Sequence, residues 1–289
     1  MKEYFFRFPE AWQFNIGSTV DDWIKAFSRD HREIFTAIKT AVIAAIQGIN
    51  WFLAIVPWWL LIVAVAVLGW RVSGKKRVGL LYGAMLFFVG SCGLWEHMLE
   101  TLSIVIASVI LSVILGFPLG ILVALSKRSE KIIRPVLDLM QTMPTFVYLV
   151  PAVILFSIGK TPALMATTIY AIVPMIRMTS HGIIHVDTEV VEAARAFGST
   201  TTQSLIKVQI PQALPTIMTG INQTIMMAMS MVVTCALIGA NGLGMEILLA
   251  TNRTDMGKAL LPGISIVIMA IILDRLTQGF VGKKEAESQ

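Results

Sequence analysis

Seven windows of this chain lack charged side chains over lengths that matter in a membrane. A bilayer core about 30 Å thick is crossed by about 20 apolar residues of helix. The first five windows are Trp51–Trp70, Val78–Trp95, Thr101–Ser126, Leu139–Gly159 and Thr161–Ile176. Val208–Met245 is uncharged throughout, and a helix from about Thr216 to Ile238 fits inside it. The seventh, Ala259–Leu273, is short, but the flanking Lys258 and Arg275 side chains can snorkel and stretch it. The pattern predicts an all-α polytopic membrane protein with about seven transmembrane helices.

Ahead of the first window, Glu33–Gly48 places Ile34, Ile38, Ala41, Val42 and Ala45 on one helical face. This predicts an interfacial helix lying on the outer leaflet. The competing reading is one long span from Thr40 to Trp70, kinked at Pro57.

Composition sharpens the class. Of 289 residues, 56% are hydrophobic and only 14% are charged, against about 25% charged in soluble domains. A soluble globular enzyme, a disordered chain and a disulfide scaffold are excluded. The two cysteines, Cys92 and Cys235, sit in separate apolar windows and read as packing residues. The first residues, MKEYFFRFPEAW, contain no apolar core before Asp21 and Asp22, so no cleavable signal peptide is expected.

The net charge of +5 is explained by loops. Lysine and arginine number four in residues 71–77, four in 127–134, three in 177–207 and three after Leu273. The opposite side offers Lys160, Arg253 and Lys258. The positive-inside rule then puts the C-terminus in the cytoplasm and, with seven spans, the N-terminus outside.

Within the windows, chemistry is sparse. Glu100, Asp138 and Asp274 lie at span edges, which argues against proton coupling through mid-membrane carboxylates. Gly69–Lys76 reads GWRVSGKK and resembles a phosphate-binding loop, but Lys76 stands where a hydroxyl is required and no strand precedes it. No catalytic triad, metal-ligand spacing or paired carboxylate appears. Prolines recur at Pro144, Pro151, Pro162, Pro174 and Pro262, as transporter helices tolerate, and Pro118 is expected to kink the third span. Ser108, Ser112, Gly116 and Gly120 form a small-residue stripe on that span, suited to close helix packing within the subunit or between copies.

The informative stretch is Asp187–Pro215, between the fifth and sixth windows. It predicts two short helices. The first is capped by Asp187 or Thr188, has Glu189 in its first turn and ends at Gly198 as a left-handed cap. Val190, Ala194 and Phe197 share a face. The second runs from about Thr201 to Gln209 and is expected to stop at Pro211. A compact amphipathic hairpin outside the membrane suggests a docking element for a partner protein.

These residues resemble the EAA loop of ATP-binding-cassette importer permeases. Glu192, Ala193, Ala194, Gly198 and Pro211 match its pattern and spacing, while Val208 and Ile210 replace its isoleucine and leucine. QTMPTFVYLVPAVILFSIG (Gln141–Gly159), PMIRMTSHGI (Pro174–Ile183), GINQTIMMAMSMVV (Gly220–Val233), GANGLG (Gly239–Gly244) and IILDRLTQ (Ile271–Gln278) closely resemble permeases for glycine betaine, proline and related osmoprotectants.

The resemblance implies an importer permease core over residues 96–282, with its coupling loop at 187–215. Residues 1–50 would form an extracytoplasmic tail with the interfacial helix, 51–95 two accessory spans, and 283–289 a cytoplasmic tail. It implies a non-catalytic translocation subunit in the bacterial cytoplasmic membrane, paired with a second copy. ATPase subunits carrying ATP and magnesium would lie below, and a substrate-binding protein outside. Glu192–Gly198 would sit in a groove on the ATPase and drive alternating access. Tyr148, Asn222 and Gln223 are candidate path residues. Of Met226, Met227, Met229 and Met231, which crowd one stretch, most are expected to pack. The alternatives are choline, carnitine or proline as main substrate, or an autonomous ion-coupled carrier or channel.

Overall fold

The computed structural model describes residues 16–287, with side chains described for 17–279; the stretch read for a signal peptide lies outside them. The chain folds as α1 (Ile16–Asp30), α2 (Arg32–Ile55), α3 (Trp58–Ser73), α4 (Lys76–Ser91), α5 (Trp95–Leu125), α6 (Lys127–Thr142) and α7 (Thr145–Phe156). There follow α8 (Lys160–Ile184), α9 (Thr188–Ala196), α10 (Thr201–Ser204), α11 (Ile210–Cys235), α12 (Leu243–Asn252) and α13 (Met256–Glu287).

The centre of the bundle is α8, packed between α5 and α11. In a membrane such contacts rest on close packing between backbones, not on exclusion of water. The small-residue stripe of α5 supplies that closeness within the chain. Ser108 Oγ donates to the Leu164 carbonyl at 3.5 Å and Ser112 Oγ to that of Thr168 at 3.3 Å. Gly116 faces Ile172 and Met175, and Gly120 faces Ile176 and Thr179. Contacts advance together along both helices, so α5 and α8 run parallel.

On the other side, Gly182 meets Ala213 and Thr216, and Gly220 meets Met178. That register is antiparallel. Cys235 is fully buried, its sulfur 3.5 Å from Thr167 Oγ1.

One end of the bundle gathers the starts of α5 and α8, joined by the Lys160–Glu100 ion pair at 2.9 Å. The end of α11 arrives there too, where Gly159 N–H donates to the Ile238 carbonyl at 3.0 Å. The opposite end carries α9.

Helices α2, α5, α8, the continuous stretch Thr201–Ile238 and α13 are each long and apolar enough to cross a membrane. The predicted interfacial segment lies inside α2, which continues to Ile55 before breaking at Val56 and Pro57. Phe35, near the start of α2, packs edge-on against Phe156 at 5.6 Å. Trp58, just past its end, lines a recess with Trp95. Both ends of α2 are therefore at the same end of the bundle. α3 and α4 form a tightly packed hairpin of 16 residues each, about 24 Å long.

Two expectations need correction. The window Leu139–Gly159 is two helices, α6 and α7, bent by 101°. Pro144 disfavours the helical conformation of Met143, which turns extended at φ −70°, ψ 135°. The second loop helix does not stop at Pro211. A π-helical turn over Leu205–Gln209, in which Ile210 N–H donates to the Leu205 carbonyl, carries the helix without interruption through Pro211 into α11. The short helix α12, which follows the GANGLG turn, has no counterpart among the predicted elements.

Candidate functional site

The hairpin at the free end of the bundle is built from local signals. Asp187 Oδ1 accepts from Glu189 N–H at 2.9 Å and caps α9. At the other end Gly198 N–H donates to the Arg195 carbonyl and Ser199 N–H to the Ala194 carbonyl, at 2.9 and 3.1 Å, a Schellman closure with Gly198 at φ +81°. Beyond its chain neighbours, no heavy atom of the described residues lies within 4 Å of a Cβ built on Gly198, so glycine is set there by backbone handedness and not by crowding. Thr200 and Gln203 then form a reciprocal capping box at 2.9 and 3.3 Å, starting α10.

What α9 shows to its surroundings is unusual. Val191 packs into a small cluster with Ile183, Val186, Leu205, Ala213 and Ile217, between the end of α8 and the start of α11. Glu192 and Ala193 are exposed, Val190 is 37% exposed and Phe197 is 94% exposed. A phenylalanine bared to that extent has no intramolecular purpose among the described residues.

The second candidate region is the open face of α11. Gln212, Thr219, Gln223, Met226 and Ser230 are all exposed and recur at helical spacing. A polar stripe on a helix otherwise suited to hydrocarbon is costly if it faces lipid. Gln223 belongs to this face. Asn222 does not: its amide donates to Asp274 Oδ1 at 2.8 Å and accepts from Thr277 Oγ1 at 2.6 Å, tying α11 to α13.

Tyr148 also lies elsewhere. It is buried, and its hydroxyl donates to the Met140 carbonyl, bracing the bend between α6 and α7. Met229 and Met231 are core residues at 2% and 0% exposure, Met227 is half-buried and Met226 is exposed. The stripe members Gln212, Thr219 and Ser230 escaped sequence reading, although polar residues at 3–4 spacing inside an apolar window were the available signal. Among the described residues no three His, Cys, Asp or Glu side chains gather as metal ligands.

Residues 116–283 match the family described as "Binding-protein-dependent transport system inner membrane component". The chain belongs to that family. Among its curated relatives, the glycine betaine/carnitine transport permease protein GbuB of Listeria monocytogenes is 45% identical, over 88% of this chain and 91% of the relative. The glycine betaine transport system permease protein OpuAB of Bacillus subtilis is 41% identical, over 94% and 96%. The glycine betaine/proline betaine permease ProW of Escherichia coli is 43% identical, over 89% and 72%.

An inward-facing structure of the MetNI methionine ABC transporter aligns with a TM-score of 0.59 at 21% identity, covering 64% of this chain and 92% of that one. That likeness concerns the fold alone. The chain is a helical membrane permease of the ATP-binding-cassette importer type.

Proposed function

We propose that this permease is the membrane-spanning subunit of an ATP-driven importer for glycine betaine or a related zwitterion joining a quaternary ammonium to a carboxylate. Glycine betaine stands in the names of all three relatives, beside proline betaine and carnitine. ATP and magnesium are bound by a separate ATPase, and an external binding protein delivers the substrate. The α9 end faces the cytoplasm, and α2 lies along the outer leaflet.

The observation that carries the reading is Phe197, an apolar knob 94% exposed on a helix whose other face touches α8 and α11 together. Inserted in a socket on the ATPase, it transmits closure to the two helices that pack the bundle centre. Glu192 and Ala193 flank it, with Ala193 small enough for close approach. The polar face of α11 then pairs with a second copy of the permease, and Gln223 lines the path between them. Substrate passes by alternating access, and the permease itself carries out no covalent chemistry.

Gly198→Asp tests the coupling role. Open space around Gly198 accepts the new side chain, and aspartate tolerates left-handed backbone better than most residues. The variant permease is expected to insert and assemble, yet to lose uptake of radiolabelled glycine betaine and permease-stimulated ATP hydrolysis in proteoliposomes. Undiminished uptake would remove the coupling role. Uptake by the permease alone, without ATPase or binding protein, would replace the importer with an autonomous carrier.

A further inference from the structure

We propose that the recess between α1, α2 and the end of α7 holds the phosphate of an anionic phospholipid. The recess has a volume of about 530 Å³ and is walled by Ser28, Arg29, Arg32, Thr36 and Lys39 on one side and by Ile154–Ser157 on the other. Arg32, Thr36 and Lys39 fall at i, i+4 and i+7 of α2 and share a face, and Arg29 reaches the same recess from the last turn of α1.

None of these three cationic side chains has a hydrogen bond or ion pair among the described residues, whereas Lys25, one turn before Arg29 on α1, is paired with Asp21 at 2.5 Å. Asp30 and Glu33, their neighbours in sequence, do not line the recess. Three cations facing one recess repel each other unless an anion joins them.

The surroundings specify the anion's source. Val20, Trp23 and Phe27 form an exposed apolar stripe on α1, with the Trp23 and Phe27 rings stacked at 5.7 Å. Trp51, Phe52, Trp58 and Trp59 are exposed around the far end of α2, at the same end of the bundle. Tryptophan gathers at the headgroup level of bilayers. The recess thus lies where phosphates lie, and its lining passes from cationic to apolar (Phe35, Phe156), as a lipid passes from phosphate to glycerol and acyl chain. This inference needs only a membrane protein and is independent of substrate and of coupling.

The test uses the purified full chain, extracted from bilayers of equal phosphatidylglycerol and phosphatidylcholine, with retained lipid measured by native mass spectrometry. Phosphatidylglycerol is expected to be retained preferentially. Arg29→Gln, Arg32→Gln and Lys39→Gln each lower that preference about five-fold, as expected for one cation near an anionic surface, and Arg32→Lys preserves it with an unchanged melting temperature. Equal retention of both lipids, or glutamine variants that keep the preference, would overturn the proposal. So would displacement of the lipid by millimolar inorganic phosphate, which marks a site for soluble anions. Glutamine variants that lose uptake yet keep the lipid preference would also overturn it, assigning the cations to docking of the binding protein.

Discussion

The α5–α8 contact and the α9 hairpin are both built on small residues, but they use the missing side chains for opposite ends. Along α5 the absence of a Cβ at Gly116 and Gly120 lets a neighbouring helix of the same chain come close. At Gly198 the absence of a Cβ permits a left-handed turn and leaves empty space. Around the first, Met175, Ile176 and Thr179 are buried; around the second, Phe197 is bare. A glycine in this permease therefore says little until one knows whether its neighbours or its φ require it, and the two cases respond differently to mutation.

The sharpest break of the comparison is Gly120→Leu. A Cβ at this position stands 2.5 Å from the Thr179 Cβ and 2.9 Å from the Ile176 carbonyl oxygen. A backbone oxygen cannot step aside as a side-chain tip can. Overpacked sites typically lose about 1–3 kcal/mol, and the rest of the leucine deepens the clash, so the upper end is expected. The variant should fail to yield a monodisperse permease on size exclusion after detergent extraction. A well-folded Gly120→Leu protein with an unchanged melting temperature would mean that α5 and α8 are not held at this register.

At the hairpin the expectation reverses. Phe197→Ser should leave the melting temperature of the permease alone unchanged, because a side chain 94% exposed contributes little to its own fold. Removal of an aromatic anchor from an interface costs about 2–4 kcal/mol. Association of the ATPase with the permease should thus weaken by about 30-fold or more, measurable by co-purification or by titration of ATPase onto immobilised permease. Weakened stability with undiminished association would return Phe197 to the intramolecular column.

The same contrast explains what could be read from the sequence. Short-range chemistry was legible: Asp187 caps α9, Gly198 closes it, and Ser108, Ser112, Gly116 and Gly120 pack against a helix. Hydropathy marked the helical windows because composition alone determines it. The bend at Met143 and Pro144 was not legible, since proline within an apolar window permits either a kinked span or a break. Here Tyr148 and its bond to Met140 decide for the break, across a distance hydropathy does not see. The π turn before Pro211 escaped for a related reason: one residue of slack in the helix ladder leaves no compositional trace. Asn222 and Gln223 are neighbours of like chemistry, yet one ties α11 to α13 and the other faces outward, because a single residue's step turns a helix by about 100°.

The smallest effect sharpens the comparison at the far end of the bundle, where the turn before α13 is held by a carboxylate and not by a glycine. Asp255 Oδ1 accepts from Lys258 N–H at 3.2 Å, and Oδ2 pairs with Lys258 Nζ at 3.1 Å. The backbone hydrogen bond from Lys258, then its side chain, lower the Asp255 pKa below the ordinary 3.8. A carboxyl with a lowered folded-state pKa contributes stability that is fully present above its unfolded value and is lost as pH falls through the folded one. The permease should therefore show a small fall in melting temperature on acidification below pH 4, and Asp255→Asn should flatten that part of the profile by losing the same small increment at neutral pH, so that the two proteins converge at the acid end. Asparagine keeps the cap and discards the charge, so the pair of measurements separates the two. An identical acid limb in both proteins would assign the acid sensitivity to other carboxylates and leave Asp255 as a neutral cap, equivalent in role to the backbone turn at Gly198.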